Sequence, residues 1–600
     1  MAVRKWSKLN DASILFISSF PHRRKSILTL KKTMLIKQRQ FDEKVVSELI
    51  SKGTNPLLAR LYAARGVIAK NELEISLAQI IPPEQLTNNG EMAKLLADAI
   101  AQKKKILVIG DYDADGATAT AVAVKGLSSM GANVDFLVPN RFEYGYGLTP
   151  EIVALAATLK PDILITVDNG IASIDGVAAA NLLGLQVLVT DHHLPADTTP
   201  EAACIVNPNQ HGCTFRSKNL AGVGVMFYVL LALRAELRTR GAFKQKSAEN
   251  INEPNLTELL DLVALGTVAD LVKLDANNRI LVEQGLRRIR AGAGCVGISA
   301  LLKIAGKSPE KVTSQDFGFA VGPRLNAAGR LDDMRLGIAC LLAETENEAT
   351  QKAQTLHELN MERRNIEADM QDSAMISLEY IDITNNFSLS IYNADYHQGV
   401  IGILASRLRE KYHRPTLVFA DAGDNIIKGS GRSIANFHLR DALDLVTKRH
   451  PNLIIKFGGH AMAAGLSIKQ ADFDKFQNAF EVVARELLTE ADLQVAIETD
   501  GSLSANEMSL QTSQMLAAQV WGQGFSAPLF WDNFNIINQR IVGEKHLKLI
   551  LEKGAKRFDA IYFNCTEIIG DNVNVVYALD VNEYKGLQAL QLQVKYVDID

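Results

Sequence analysis

Cysteine is scarce. Cys204, Cys213, Cys295, Cys340 and Cys565 are scattered over 600 positions, and no two of them form a CxxC pair. This spacing excludes zinc ribbons and disulfide scaffolds and suits a reducing, cytoplasmic setting. An excess of either charge is also missing: 64 Lys+Arg stand against 68 Asp+Glu, a net of −4. That excludes a global positive field, so any nucleic-acid binding has to come from local patches. Long apolar runs are absent as well. The longest clean one, Val225 to Leu233, falls far short of the roughly 18–20 residues that span a bilayer, so no membrane is expected as a partner. No glycine-rich loop ends in the Lys-Ser/Thr of a Walker A motif, which disfavours NTP-driven work.

What is present is an average globular composition, 47% hydrophobic and 22% charged, over a length that allows about four domains at roughly 150 residues each. Residues 1–33 stand apart, with eight Lys or Arg and one acid. They are expected to be a basic, disordered extension or to lie upstream of the true start, with Met34 as the alternative initiator. Short apolar runs follow at Ile106–Ile109, Val134–Val138, Ile163–Val167 and Val187–Thr190, with amphipathic helical patterns between them. That alternation predicts an α/β fold with a doubly wound parallel sheet. Thr149 before Pro150 predicts a capped helix start. From Glu344 to Tyr380 there is no Gly or Pro, which predicts one long helix connecting two lobes. Leu389–Tyr392, Gly402–Tyr412 and Thr416–Phe419 predict a second α/β unit. Phe534–Ile537, His546–Leu551 and Arg557–Phe563 predict a small β-barrel. Trp521, Phe525, Trp531 and Phe534 are expected in that barrel's core, and Lys545, Lys548, Lys553, Lys556 and Arg557 on its DNA-facing side.

The sharpest chemical signal is Gly110-Asp-Tyr-Asp-Ala-Asp-Gly116. In an extended segment, Asp111, Asp113 and Asp115 would point the same way. Like charges that close raise one another's pKa, and a hard divalent cation relieves the conflict. An EF-hand loop would need Glu twelve positions along, where this sequence has Val122. The logic repeats at Asp168-Asn-Gly170, at Asp191-His-His193 and at Asp270. In a parallel sheet the strand C-termini share one edge, so these groups are expected at one crevice. A single Asp after a strand is commonly a cap or turn residue; four such motifs with a His-His pair favour a metal centre. Enough ligands exist for two Mg²⁺ or Mn²⁺ ions, which argues for phosphoester or phosphoanhydride hydrolysis. Gly222-Val-Gly224 is read as close packing.

Asp111-Tyr-Asp-Ala-Asp115, Val167-Asp-Asn-Gly170, Asp191-His-His193 and Gly266-Thr-Val-Ala-Asp270 resemble the four motifs of the DHH phosphoesterase superfamily. Val138-Pro-Asn-Arg-Phe-Glu143, Gly322 to Arg330, His397-Gln-Gly-Val400, Gly429 to Ser433 and Gly458 to Gly465 further resemble the bacterial RecJ family of single-strand-specific exonucleases. The resemblance runs from about Phe41 to the C-terminus. It implies a DHH domain over 34–343, a connecting helix over 344–385, a DHHA1 domain over 386–485 and an OB-like DNA-binding domain over 486–600. It also implies metal-dependent 5′→3′ degradation of single-stranded DNA to mononucleotides in recombinational and mismatch repair. By motif position Asp111, Asp113, Asp115, Asp168, His192 and Asp270 are the expected metal residues, with Asp111 supporting the site or binding through water. Asp113, Asp168 and His193 are the expected catalytic residues, with His193 a phosphate contact or proton donor. Expected substrate contacts are Arg141, Arg324, Asn326, Arg330, Ser430, Gly431, Arg432, Gly458, Gly459 and His460. Each of these also reads as a turn glycine or a surface ion pair. Expected partners are single-stranded DNA, a single-strand-binding protein and a helicase, around a monomeric enzyme. Two other readings stay open: an oligonucleotide or cyclic-dinucleotide phosphodiesterase of the same superfamily, and a non-catalytic DNA-binding scaffold. The 5′ polarity rests on the resemblance alone.

Overall fold

This computed structural model describes residues 34–598 apart from 141–143, 145–146, 244–251, 379–382 and 384. The basic stretch 1–33 and Arg141 lie outside the described residues.

The first strand, β1 (Leu35–Gln38), runs parallel to β12 (Ala496–Thr499) and ties the start of the described chain to the C-terminal region. The first lobe is built on β2 (Lys105–Ile109), β3 (Asn133–Leu137), β4 (Ile163–Val167), β5 (Gln186–Thr190) and β6 (Cys204–Val206). They form an all-parallel sheet in the order β3-β2-β4-β5-β6. All five residues of β4 are buried, as expected of a strand covered by helices on both faces. One face packs against helices α1 (Ala114–Ser129), α2 (Gly222–Thr239) and α3 (Leu260–Ala269), through Val122, Leu127, Met226, Leu230 and Val263. The other face packs against helices Pro150–Ala157 and Ile174–Leu182, through Ile152, Val153 and Val177. Thr149 caps the first of these helices, its hydroxyl accepting from the Ile152 amide, with Pro150 in the first turn. The order reverses between β2 and β4, where a crevice opens at the carboxyl ends of the strands. The register Ile109↔Thr166 and Thr166↔Val189 levels those ends.

A later helix, α4 (Gly322–Leu331), packs near the crevice. The long element is α5 (Glu346–Leu378), 33 residues and so roughly 50 Å. Ala349, Ala353 and Leu356 join the first lobe's core, while Met370, Ala374 and Leu378 join the core of the second lobe. It is a strut between lobes and not a coiled coil.

The second lobe holds β7 (Leu389–Tyr392), β8 (Thr416–Asp421), β9 (Ile426–Arg432), β10 (Lys456–Gly459) and β11 (Ala463–Lys469), in the order β10-β11-β9-β8-β7. Five further strands close a barrel: β13 (Phe530–Val542), β14 (His546–Lys553), β15 (Lys556–Tyr562), β16 (Asn572–Tyr584) and β17 (Leu587–Asp598). Phe530 and Phe534 pack on Tyr577 inside it.

One expectation for this region changes. Trp521 and Phe525 are buried outside the barrel strands, stacked on each other and against Tyr62. Arg65 lies over Trp521 and Arg279 over Phe525, so this cluster glues the barrel to the first lobe. The basic residues of the barrel are mostly engaged within it. Lys548 pairs with Asp559 at 2.5 Å, Lys553 with Asp532 at 2.5 Å and Arg557 with Glu552 at 3.0 Å. Lys556 donates to the Asn506 carboxamide at 2.8 Å. Lys548, Lys553 and Arg557 are each balanced by a carboxylate, whereas the partner of Lys556 is uncharged.

Candidate metal centre

The acidic motif is not an extended segment. Strand β2 stops at Ile109 and α1 starts at Ala114, with Asp113 as its N-cap accepting from the Gly116 amide at 3.0 Å. Asp111 therefore lies in the loop, Asp113 at the cap and Asp115 in the first helical turn. A capped turn, and not β alternation, brings them to one place, because Asp is a preferred cap that accepts from the free amides of the first turn.

Asp115 is fully buried and points at the start of α2. Its Oδ2 accepts from the Gly222 amide at 2.7 Å and its Oδ1 from the Val223 amide at 3.0 Å. A helix N-terminus favours a carboxylate there. Gly222 leaves no room for a side chain, since a Cβ would sit 2.5 Å from Asp168 Oδ1. The packing role expected of the Gly222-Val-Gly224 pair is thus joined by a second one, the orientation of Asp115 by two amides.

Asp168 follows β4 in the left-handed region, φ 62°, which is sparsely populated by residues other than glycine. Asp270 is the C-cap of α3, where the negative end of the helix dipole opposes a carboxylate. His192 follows β5 by two residues, and its Nε2 sits 3.1 Å from Asp168, 3.5 Å from Asp270 and 4.0 Å from Asp115. That nitrogen is buried and makes no hydrogen bond. Three sets of donors lie within 4.8 Å of one another: Asp111, Asp113 and Asp168; Asp115, His192 and Asp270; and Asp168, His192 and His193. Asp168 and His192 each belong to two sets, the arrangement of neighbouring ions sharing ligands.

The electrostatics demand a cation. Burial, then Asp113, pushes Asp115 up to about 7. Burial, then Asp115 and Asp113, holds Asp168 and Asp270 well above the usual carboxylate range. Burial, then His193, pushes His192 down to about 4, leaving a neutral imidazole. Oxygen donors with one neutral imidazole fit Mg²⁺ or Mn²⁺.

His193 is tuned the other way. Burial opposes its charge, but the hydrogen bond and charge of Asp191, helped by Asp270 and Asp111, outweigh it and raise the ring to about 9. Asp191 is expected at the crevice from the sequence, but its role there shows only in the structure. Its Oδ1 faces His193 Nδ1 at 2.7 Å and accepts from the His192 and His193 amides at 2.7 and 3.0 Å. Its Oδ2 accepts from the Ile171 amide at 2.9 Å. Asn207 and Asn209 donate to the carbonyls of His193 and His192, at 2.9 and 2.6 Å. The signal for Asp191 was its place directly after β5, the same place Asp168 holds after β4.

The expected substrate residues divide. His460, in the turn after β10, stacks on His193 with centroids 6.4 Å apart and planes 17° apart, so the second lobe reaches the centre. Ser430, Gly431 and Arg432 end β9, where Arg432 donates to Ser430 Oγ at 3.2 Å and to the Gly431 carbonyl at 2.8 Å. Gly458 and Gly459 end β10, Gly459 at φ 140°. Arg330 bridges the lobes by donating to the Gly399 carbonyl at 3.1 Å. Asn326 braces the acidic loop, its Oδ1 accepting from the Ala114 amide at 2.8 Å. Arg324 donates to His357 and to the Ala320 carbonyl.

Comparison with known proteins agrees with this layout. Residues 105–267 match the DHH family, N-terminal domain; residues 385–486 match the DHHA1 domain; residues 499–596 match the RecJ OB domain. The single-stranded-DNA-specific exonuclease RecJ of Salmonella typhimurium is 49% identical, covering 94% of this chain and 99% of that protein. The protein of the same name from Escherichia coli is 48% identical over the same shares. A crystal structure of RecJ from Thermus thermophilus in complex with Mn²⁺ is similar with a TM-score of 0.77 at 28% identity, covering 94% of this chain and 79% of that one. With the DHH, DHHA1 and OB regions in this order and near-half identity over almost its full length, the chain belongs to the RecJ family of DHH phosphoesterases.

Proposed function

We propose that the protein is a metal-dependent exonuclease that hydrolyses single-stranded DNA from the 5′ end to mononucleotides, in recombinational and mismatch repair. The observation that carries this reading is the convergence of Asp111, Asp113, Asp115, Asp168, His192 and Asp270 at the edge of one parallel sheet, in a chain 49% identical to an exonuclease named for single-stranded DNA.

Those six residues hold two divalent cations in this reading. Bound there, the pair supplies Lewis-acid activation of water and neutralises charge on the reacting phosphate. Asp113 and Asp168 orient the donor set, one from a helix cap and one from a left-handed turn. Asp115 is kept in place by the α2 amides. His193 is protonated at neutral pH because of Asp191. With Nδ1 engaged, its Nε2–H offsets charge on a phosphoryl oxygen and holds a proton for the leaving oxygen. His460 stacks on that ring and orders it from the second lobe. Arg432, Ser430, Gly431, Gly458 and Gly459 supply a guanidinium, a hydroxyl and open backbone suited to phosphate. Arg324, Arg330 and Asn326 support this set from α4, and Arg141 joins it by motif resemblance.

We place the enzyme in the cytoplasm as a monomer assisted by a helicase and a single-strand-binding protein. No helix among the described residues is long and apolar enough to cross a membrane.

The test is a single strand labelled at either end, incubated with Mn²⁺, Mg²⁺ or chelator. Label released as mononucleotide from the 5′ end only, and only with metal, is the expected result. Asp168→Ala should abolish release while a fluorescent strand still binds. Release from the 3′ end, or an active Asp168→Ala variant, would refute the reading. Equal turnover of a dinucleotide and a long strand would favour an oligonucleotide phosphodiesterase instead.

A further inference from the structure

Phe319 is the most exposed aromatic in the described residues, 85% accessible against 68% for Tyr584. It lies in a π-helical turn, Phe317–Val321, that leads directly into α4. The wider i→i+5 winding turns Phe317 and Val321 fully into the core and leaves Phe319 outside. Single-turn π segments are frequent at functional sites because they aim one side chain at the cost of regular hydrogen bonding.

The turn is not remote from the metal centre. Gly318 and Gly322 lie against Val268 and Ala269, with their Cβ positions 3.7 Å and 3.3 Å from those side chains. These two residues immediately precede Asp270. On the far side of Asp270 stands Leu271, 67% exposed at φ 61°. Two apolar side chains thus flank the segment that carries a metal residue, where burial would normally be favoured.

Charge next to this rim is positive. Arg324 donates to the carbonyl of Ala320, the neighbour of Phe319, and to the ring of His357. Burial and then Arg364, exposed on α5, work against its charge. A guanidinium anchored on the carbonyl next to an exposed ring matches an anionic backbone with an unstacked base. Phe319 also lines a cleft of about 740 Å³ between the first lobe and the barrel. There Lys307 and Lys311 are already paired with Asp316 and Glu583, so the cleft wall itself is charge-balanced.

We propose that Phe319 is a base-stacking platform for the incoming single strand, with Arg324 on the adjoining phosphate; this rests on the nuclease reading above. A duplex hides its base faces between neighbouring pairs, so a ring in this place selects for single strands and positions the chain ahead of the metals.

The experiment compares steady-state kinetics of the wild type, Phe319→Ala and Phe319→Trp on a 5′-phosphorylated strand with Mn²⁺, together with a series carrying one abasic nucleotide at successive positions. Loss of one stacked base should raise KM about tenfold in Phe319→Ala, with a smaller change in kcat and with Trp restoring it. An abasic nucleotide at the stacking position should raise the wild-type KM alike and leave that of Phe319→Ala little changed. Equal KM for wild type and Phe319→Ala, or abasic penalties that add equally in both, overturn the platform. A wild-type protein that degrades no single strand sinks the nuclease reading itself.

Discussion

Loading the centre with metal should expel protons. At about pH 7, Asp115, raised to about 7, is half protonated, and burial with the neighbouring acids holds Asp168 and Asp270 well above the usual carboxylate range as well. His192, pushed down to about 4, is already neutral and contributes none. Binding of Mn²⁺ requires deprotonated carboxylates, so the half proton of Asp115 leaves on binding, and whatever Asp168 and Asp270 carry leaves with it. The assay is isothermal titration of Mn²⁺ into metal-free protein in buffers of different ionisation enthalpy, the slope giving the proton count. Asp270→Asn should lower the count. The same shifts set the metal-free stability. A carboxyl whose folded pKa lies above its unfolded value loses stability as pH rises from the unfolded pKa through the folded one. For Asp115, from 3.8 to about 7, that is three units, or about 4 kcal/mol, lost between about pH 4 and pH 7. Thermal melts with chelator should therefore fall over that window, and fall less in Asp270→Asn, which removes a second buried carboxyl whose ionisation Asp115 opposes. With Mn²⁺ present the order should invert, the variant melting lower than the wild type. A proton count of zero at about pH 7 would refute the argument, as would a metal-free melting temperature that holds level across the window.

Other outcomes follow from single contacts. Asp191→Asn should remove the support that raises His193 to about 9, moving the basic limb of the pH–rate profile down toward the ordinary imidazole value and lowering kcat at about pH 8 up to roughly thirtyfold; an unmoved basic limb would show that His193 is not the proton carrier. Gly222→Ala places a methyl 2.5 Å from Asp168 Oδ1, and denaturant unfolding should report a loss of about 1–3 kcal/mol along with weakened Mn²⁺ affinity. Lys553→Ala strips Asp532 of its cation while Tyr577 Oη, at 2.6 Å, still donates to it; the barrel should lose about 3 kcal/mol, whereas DNA affinity measured by anisotropy should change little.

The layout of the first lobe was legible because apolar strands ending in Asp have one physical meaning in a parallel sheet. Ile163–Val167 and Leu389–Tyr392 begin and end where their patterns do. The three-residue strand Cys204–Val206 is too short to show a period. Strands Asn572–Tyr584 and Leu587–Asp598 interleave Asn, Gln and acids with Val and Leu, which blurs any alternation. The acids of the centre were visible individually, but their supports were not. The two amides that hold Asp115 come from Gly222 and Val223, more than a hundred positions away, and no local pattern encodes that meeting. The partners of the barrel's lysines were hidden for the same reason. Which carboxylate faces Lys548 depends on strand register, and a sequence lists charges without saying which are spent.

The connecting helix has a consequence for how such a chain can vary. His460 reaches His193 only because α5 presents the second lobe at one distance and one azimuth. Each residue of helix advances about 1.5 Å and turns about 100°, so inserting a single residue in its middle would swing the far jaw around by more than a quarter turn. Substitutions along α5 can drift freely on its solvent side, but its length is locked, like the pitch of a screw that must stop with two faces aligned.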